Sequence, residues 1–332
     1  IHHLNVLGGY SYMDNVAEGF GATRSGFDTN AFIYNNLGAG TDYRQGDVYS
    51  YKNSSKLISF YGRVNYGLMD KYMITATIRR DGSSRFGADH KWGTFPSVSV
   101  AWRIINEKFM EGTHSWLDNL KLRVGYGITG NQNGVDPYKS LSGLSSAGAS
   151  YYDAATGTWK NSYVQAQNAN PDLKWESTAQ FNVGIDFGFL NRINGSLEFY
   201  HKKTSDLLWT YPVPQPPYLV GTMLANVGDM VNKGVELTVE TRNIVKPKFS
   251  WSTSLTLSHN KQMVEDIGSE DFVSAMNSPG NSQYMMYGYV KGRPLNALWG
   301  FKYGGVWHNQ EEIERNKVTN TYVSATTSLS PT

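Results

Sequence analysis

Three glycines in Gly125-Tyr-Gly-Ile-Thr-Gly130 have the spacing of a dinucleotide-binding loop. Such a loop holds a pyrophosphate only where it opens a helix and an acidic residue follows about 20 positions later. Here Asn131-Gln132-Asn133-Gly134 follows, without a helical pattern, and Gly125 and Gly127 take alternate positions of a strand-like run. We therefore predict no bound nucleotide and no other cofactor.

The other reactive side chains are not grouped for catalysis or metal binding. The seven His include no H-E-x-x-H pair, and the adjacent His2 and His3 would point to opposite faces of a strand. The acidic pairs on either side of 267–269 lack the regular spacing of a calcium loop. There is no G-x-S-x-G turn for a nucleophile, and the absence of Cys excludes thiolate chemistry. We predict no catalytic residue and no metal site, and hence that the chain is not an enzyme.

The composition favours strands over helices and gives no sign of a nucleic-acid partner. Of 332 residues, 14 % are aromatic and 34 are Gly, a mixture that suits pleated strands and tight turns. The net charge is only +2, so no nucleic acid is expected to bind. No apolar run reaches the roughly 18 residues of a membrane helix, but a membrane-spanning strand needs only about ten.

Apolar and polar residues alternate over many segments, which is the pattern of strands with two different faces. Residues 57–69 are typical, since Ile58, Phe60 and Val64 alternate with Ser59 and Arg63. The pattern predicts strands near 3–12, 55–69, 71–80, 95–105, 119–129, 175–189, 193–205, 232–243 and 249–259.

The links between these strands alternate in length. Those near 69–71, 190–192 and 243–248 are short, that at 106–118 is intermediate, and the long ones are 13–53, 81–94, 130–174, 206–231 and 260–282. A soluble β-sandwich would explain the alternating faces but not the alternating links. Short turns at one end and long loops at the other are typical of outer-membrane barrels. We predict an all-β fold, a transmembrane antiparallel up-and-down β-barrel.

Several segments closely resemble the SusC/RagA family of TonB-dependent transporters from the Bacteroidetes group. They are Tyr61-Gly-Arg-Val-Asn-Tyr66, Asp70-Lys-Tyr72, the run 78–87 (IRRDGSSRFG), the runs 92–99 and 101–103, the runs 120–123 and 125–131, Asn170-Pro-Asp-Leu-Lys-Trp-Glu176 and the run 226–236 (NVGDMVNKGVE). Together they cover most of residues 55–260 in the family's order.

The resemblance implies a barrel of about twenty-two strands, of which residues 1–332 would supply about ten. It also implies an N-terminal plug inside the barrel, a SusD-like surface lipoprotein as a lid, and the TonB complex as the energy source. We expect the plug, the signal peptide and the last barrel strands to lie outside this chain. Closure of a small barrel, by pairing 4–12 with a strand around 298–306, is the alternative arrangement.

Two groups of residues are candidates for function. Aromatic side chains in the long links could stack on sugar faces or peptide side chains, or pack against a lid: Tyr151, Tyr152, Trp159, Tyr163, Tyr211 and Tyr218. Charged side chains on the polar positions of the strands could pair with the plug or contact the substrate: Arg63, Arg79, Arg103, Lys121, Arg123, Asp186, Glu198, Glu236 and Glu240.

These observations predict active import of a bulky nutrient, an oligosaccharide or a peptide, across the bacterial outer membrane. The partners would be outer-membrane lipid, the lipoprotein lid and the TonB complex. Two alternatives stay open at this point: an outer-membrane barrel enzyme of the protease or lipase type, and a plug-less porin or adhesin.

Overall fold

The computed structural model describes residues 2–44, 46–268, 272–277, 285–295 and 297–298. Its strands in chain order are β1 (His2–Ala22), β2 (Val48–Leu68), β3 (Tyr72–Ser83), β4 (Trp92–Arg103), β5 (Leu117–Asn131), β6 (Gly143–Asp153), β7 (Thr158–Gln167), β8 (Glu176–Phe189), β9 (Ile193–Ser205), β10 (Leu208–Pro212), β11 (Thr222–Asn226), β12 (Asp229–Lys246), β13 (Phe249–Asp266), β14 (Phe272–Asn277), β15 (Met285–Val290) and β16 (Ala297–Leu298). Short 3-10 helices lie at Asn30–Phe32, Leu37–Ala39, Ile104–Asn106 and Lys108–Thr113. None of the helices described is long and apolar enough to cross a membrane.

Nine strands form one antiparallel sheet in the order β1-β2-β3-β4-β5-β8-β9-β12-β13. They match the nine strands predicted from the sequence one for one, so the up-and-down order and the alternating link lengths are confirmed. The pairs β6–β7 and β10–β11 form separate two-stranded sheets inside the links 132–175 and 206–228 of this sheet. The sequence patterns had indicated only irregular loops there.

The chain divides into two compact units. The first holds 2–273 and 289–295 of the described residues, and includes the nine-stranded sheet. In the second unit, β15 pairs with β16 through Tyr287–Leu298 and Gly288–Ala297.

One face of the sheet is apolar from strand to strand because the register aligns the apolar positions. A single row across the first eight strands consists of Leu4, Tyr66, Ile74, Val100, Val124, Val183, Phe199 and Val235. We call this side the apolar face and the opposite side the polar face. The apolar face is largely uncovered, with Leu4, Ile74, Phe199 and Leu257 all exposed. A continuous exposed apolar surface of this extent requires a nonaqueous partner.

Aromatic pairs border the apolar face at both ends of the strands. Near the long links, Phe60 lies 5.2 Å from Tyr10 and 6.3 Å from Trp92; near the short links, Tyr72 lies 6.4 Å from Trp102. Trp92 and Trp102 are ten residues apart on β4, about 33 Å along a strand. A tilt of roughly 40° reduces this to about 25 Å, which is the height of the apolar band of an outer-membrane barrel.

Within the described part of the chain, β1 pairs with no strand besides β2 and β13 with none besides β12, and the outer edge of β13 bonds the backbone of residues 292–293 at Val264. In hydrocarbon an unpaired strand edge costs several kcal/mol per backbone group, so such edges must be paired. The closing pair considered above falls mostly on residues 299–306, which lie outside the described residues.

Candidate functional site

The polar face carries a network of charges on three neighbouring strands. Arg123 on β5 donates from Nε and Nη2 to both carboxylate oxygens of Asp186 on β8, at 3.0 and 2.8 Å. Its Nη2 also lies 3.6 Å from Glu198 on β9, and Lys121 Nζ lies 3.5 Å from Asp186. The Asn182 amide donates to Glu198 at 2.8 Å. Two cations and two carboxylates thus neutralise one another at mid-height of the sheet.

Small residues leave room beside this network. A cavity of about 390 Å³ lies on the sheet, and among its lining residues are Ser97, Ser99, Gly125, Gly127 and Asn182 together with Arg123 and Glu198. Hydroxyl, amide and guanidinium groups surround it, so it suits a polar occupant. The glycines singled out in the sequence therefore shape a hollow on a strand, and no helix follows them as a dinucleotide loop would require.

The remaining charged candidates occupy the same face but do not join one site. Arg79 donates to Asp81 at 2.8 Å and to Ser59 at 3.0 Å, and Arg63 donates to Thr77 at 3.3 Å. Arg103 is paired in register with Lys121.

Two acidic candidates are left without a cation. Glu236 stands directly opposite Glu198 in the register, and Glu240 stands opposite Asn194. Both are exposed, and neither forms an ion pair within the described residues. Like charges opposite one another on a sheet destabilise it. The Glu236 position is therefore electrostatically suited to a cationic group from outside the described chain.

The long links fold around a small apolar core, which the sequence patterns did not reveal. We call Phe86, Phe95, Val135, Leu173 and Trp175 the loop core. The rings of Phe86 and Phe95 lie 4.8 and 5.5 Å from that of Trp175. Two links come into contact at Gly87, where any side chain would overlap the Pro171 backbone. The Gly87 N–H also donates to Leu173 O at 2.8 Å. The family motifs at 82–87 and 170–175 therefore meet in space.

Three asparagines join the links 132–175 and 206–228 to each other. Asn168 donates to Thr222 O at 3.0 Å and Asn170 to Leu224 O at 2.8 Å. Asn226 pairs with the backbone of Lys174, accepting at 2.9 Å and donating at 2.8 Å. Each of these side-chain amides hydrogen-bonds the backbone of the other link. Together they hold the links 132–175 and 206–228 to each other. No pattern in the sequence of these links indicates such contacts.

The aromatic candidates divide between two hairpins. Tyr152 pairs with Trp159 across β6 and β7, with ring centroids 5.5 Å apart, and Tyr163 shares the face of Trp159. Tyr151 lies opposite Lys160, and the rings of Tyr151, Tyr152, Trp159 and Tyr163 are all exposed. Tyr211 lies on β10, and Tyr218 lies in the turn between β10 and β11; both are half-buried. The hairpins therefore present aromatic surface beyond the ends of the membrane strands.

The short-link rim carries a carboxylate held by three donors. Glu107 accepts from the Tyr72 hydroxyl at 2.6 Å, from Lys71 Nζ at 2.9 Å and from Trp102 Nε1 at 3.0 Å. These hydrogen bonds, that of Tyr72 first, lower the pKa of Glu107 to about 2. A carboxyl group whose pKa is lowered on folding stabilises the folded protein at pH values above its ordinary pKa. This stabilisation is lost as the pH falls toward and through the lowered pKa.

We expect Glu107→Gln to destabilise the folded full-length protein at neutral pH. The difference from the wild type should shrink as the pH falls from about 4.5 toward about 2. Urea unfolding in lipid vesicles across this pH range measures it. The matched control is Glu111→Gln, since Glu111 is exposed and has no ion pair in the described part of the chain. A difference that is unchanged at pH 2.5 would contradict the assignment.

No three His, Asp or Glu side chains in the described residues are grouped closely enough to hold a metal ion. The arrangement is instead a wall, apolar toward one side, polar and charge-balanced toward the other, with packed links at one rim only. This is the construction of a transmembrane β-barrel of the bacterial outer membrane.

Comparison with known proteins agrees with this class. The family described as "TonB dependent receptor-like, beta-barrel" matches residues 3–329. The TonB-dependent receptor P3 of Formosa agariphila is 36% identical over 309 residues, which are 92% of this chain and 30% of the relative. The TonB-dependent receptor SusC of Bacteroides thetaiotaomicron is 39% identical over 221 residues, 66% of this chain and 22% of the relative. The structure of the RagAB peptide transporter is 25% identical with a TM-score of 0.74, covering 90% of this chain and 31% of that one.

The chain belongs to the TonB-dependent receptor β-barrel family, and it is similar to the SusC- and RagA-like members from Bacteroidetes. The resemblance read from the sequence, the outer-membrane location and the barrel fold are thus confirmed. The chain spans less than a third of the length of these relatives.

Proposed function

We propose that this chain forms part of the wall of an active importer for a bulky nutrient, an oligosaccharide or a peptide. A SusD-like lipoprotein would close the long-link rim, and TonB would supply energy through a plug inside the barrel. The observation that carries the proposal is the asymmetry of the wall. In the described sheet one rim consists of three short turns and one link with two short 3-10 helices, whereas the other is built up by the loop core and two aromatic hairpins.

The polar face supports a role beside a plug. Arg123, Asp186 and Glu198 neutralise each other, so this part of the wall needs no partner to be stable. Glu236 and Glu240 lack cations within the described residues, and Arg or Lys side chains of a plug would complete them. Direct contact of these charges with a polar substrate is the other role, and the cavity beside Arg123 is its site.

The relatives support import rather than the alternatives. Structural neighbours are described as a RagAB peptide importer in closed-closed and open-open states, so those proteins open and close. A barrel enzyme would require a carboxylate or a Ser-His cluster at one rim. Glu107 at the short-link rim is engaged by three donors and is therefore not placed to act as a base. A plug-less porin or adhesin would leave Glu236 and Glu240 facing water.

Photo-crosslinkers at Tyr163 and Tyr218 in the full-length protein test the lid. We expect both to capture one surface lipoprotein in intact cells, since the two hairpins extend from the long-link rim. A crosslinker at Trp116, which is exposed near the short links, is the matched control and should not capture it. Uptake of the nutrient should also stop when TonB is deleted.

Two outcomes would overturn parts of the proposal. Failure of both sites to capture the lipoprotein, with that protein present and folded, would remove the lid. Uptake that continues without TonB would point to a diffusion porin.

A further inference from the structure

The hairpin of β1 and β2 continues well beyond the neighbouring strands. Above the aromatic border at Tyr10 and Phe60, the apolar face gives way to two ion pairs, Asp14–Lys56 at 3.6 Å and Glu18–Lys52 at 3.0 Å. These ion pairs lie on the same side of the hairpin as the apolar face, which faces lipid lower down. They therefore mark the point where the hairpin leaves the membrane. About nine residues of each strand, roughly 30 Å, therefore project into water.

On the other side of this projecting hairpin, two tyrosines lie across glycines of the paired strand. Gly19 pairs with Tyr51 and Gly21 with Tyr49. A Cβ on Gly19 would lie 2.9 Å from Cε1 and Oη of Tyr51, and one on Gly21 would lie 2.5 Å from Cζ of Tyr49. Each ring therefore rests on glycine backbone, and any larger residue would displace it. The same pairing recurs lower down, where Tyr61 lies across Gly9.

One face of each ring rests on glycine backbone, and the opposite face is exposed. Tyr49 and Tyr51 are 56% and 51% exposed, although their outer halves contact the neighbouring strand. They are two residues apart on one strand, about 7 Å, so a single extended ligand can reach both. By register they continue the polar face, the side that carries Arg63 and Ser59.

On the two projecting strands the surface around the rings is uncharged, and arginines border it at both ends. Arg24 pairs with Asp47 at 3.1 Å beyond Tyr49, and Arg85 donates to Ser55 at 3.3 Å. The other positions of this surface on the projecting part are Asn15, Ala17, Asn53 and the buried Ser55, while Asp14, Glu18, Lys52 and Lys56 all belong to the opposite side. Both asparagines are exposed, and each amide offers two donors and an acceptor. Within the described residues neither tyrosine hydroxyl is engaged by another side chain.

We propose that Tyr49 and Tyr51 form a stacking platform for the rings of a neutral oligosaccharide; this inference rests on the proposed role in nutrient import. The face of an aromatic ring is electron-rich and attracts the weakly positive C–H groups on a sugar face. Amides such as Asn15 and Asn53 match sugar hydroxyls. The strand positions beside the two rings carry no charged side chain, so a charged peptide side chain stacked there would have no ion-pair partner on β1 or β2.

The platform is tested by calorimetric titration of the purified full-length protein. The probes are an α-1,4-linked glucose hexaose, a β-1,4-linked glucose hexaose and a neutral hexapeptide. We expect at least one hexaose to bind, and Tyr49→Ala and Tyr51→Ala each to weaken its binding on the order of tenfold, the lower end of what an aromatic ring contributes when it stacks on a nucleic-acid base. Tyr→Phe at both positions should retain binding, because the ring face is kept.

A glycine pair separates ring position from general damage to the hairpin. Gly19→Ser should weaken the same hexaose because its Cβ lifts the Tyr51 ring. Gly8→Ser is the matched control, since nothing lies within 4 Å of a Cβ there. All variants are first checked for heat-modifiable migration on gels, which reports an intact barrel.

Three results would overturn the platform. The first is that the wild-type protein binds neither hexaose, and the second is that a Tyr49→Ala/Tyr51→Ala variant binds them as the wild type does. The third is that the tyrosine substitutions weaken binding of the hexapeptide or the lipoprotein lid only. None of these touches the import proposal, which fails only if TonB-dependent uptake or lid capture is absent.

Discussion

Replacing Phe86 by alanine is expected to destabilise the packed links of the long-link rim by about 3–5 kcal/mol, the usual cost of removing a buried aromatic side chain. Phe86 is 1% exposed and contacts Trp175, so its loss opens a cavity in the loop core. The links 132–175 and 206–228 meet at this core, and both should become susceptible to protease. The sheet itself should persist, because its backbone ladders do not depend on Phe86.

Limited proteolysis of the full-length protein in detergent measures this effect. The matched control is Phe109→Ala, since Phe109 is 69% exposed near the short links and its truncation leaves no cavity. Cleavage is expected inside 132–142 or 168–175 in the Phe86 variant only. Equal protease resistance of the two variants would show that the links are held by the asparagine contacts alone.

Arginine at Val183 is expected to cost about 2–4 kcal/mol of folding free energy in a bilayer, the range found near the midplane of outer-membrane barrels. Val183 lies on the apolar face between Val124 and Phe199 in the register, and the same faces carry Ile74, Leu122, Leu237 and Leu255. A guanidinium there would have to reach across hydrocarbon to find water. Folding into lipid vesicles from urea, followed by gel mobility, measures the loss.

The control for this substitution is Gln180→Arg, three residues away on the polar face. Gln180 donates to Asn182 and lines the cavity beside Arg123, so an arginine there has polar surroundings. We expect it to cost less than 1 kcal/mol, as polar-side substitutions do not face lipid. If the two arginines proved equally costly, the assignment of the faces would be wrong.

The nine membrane strands could be predicted from sequence because each strand fixes its own faces. Side chains alternate with a period of two, so Ile74 and Thr75 must point to opposite sides whatever their neighbours are. The alternating link lengths then distinguish a barrel from a sandwich. The alternation predicts an end of β1 near residue 12, whereas the strand continues to Ala22. The reason is that Asp14 and Glu18 take positions that are apolar lower in the strand, and they pair there with Lys56 and Lys52 of β2.

The sequence by itself thus determined the class of fold, the two faces, the family resemblance and the location in the outer membrane. Only the tertiary structure decided which charges meet, because pairing depends on register across strands far apart in sequence. Arg123 and Asp186 are 63 residues apart, and nothing local indicates that they share a hydrogen-bonded pair. The loop core has the same origin, since Phe86 comes from the link between β3 and β4, and Val135 and Trp175 come from opposite ends of the link between β5 and β8. Contacts between links carry no repeating signal, so they emerge only when the sheet brings the ends of its strands together.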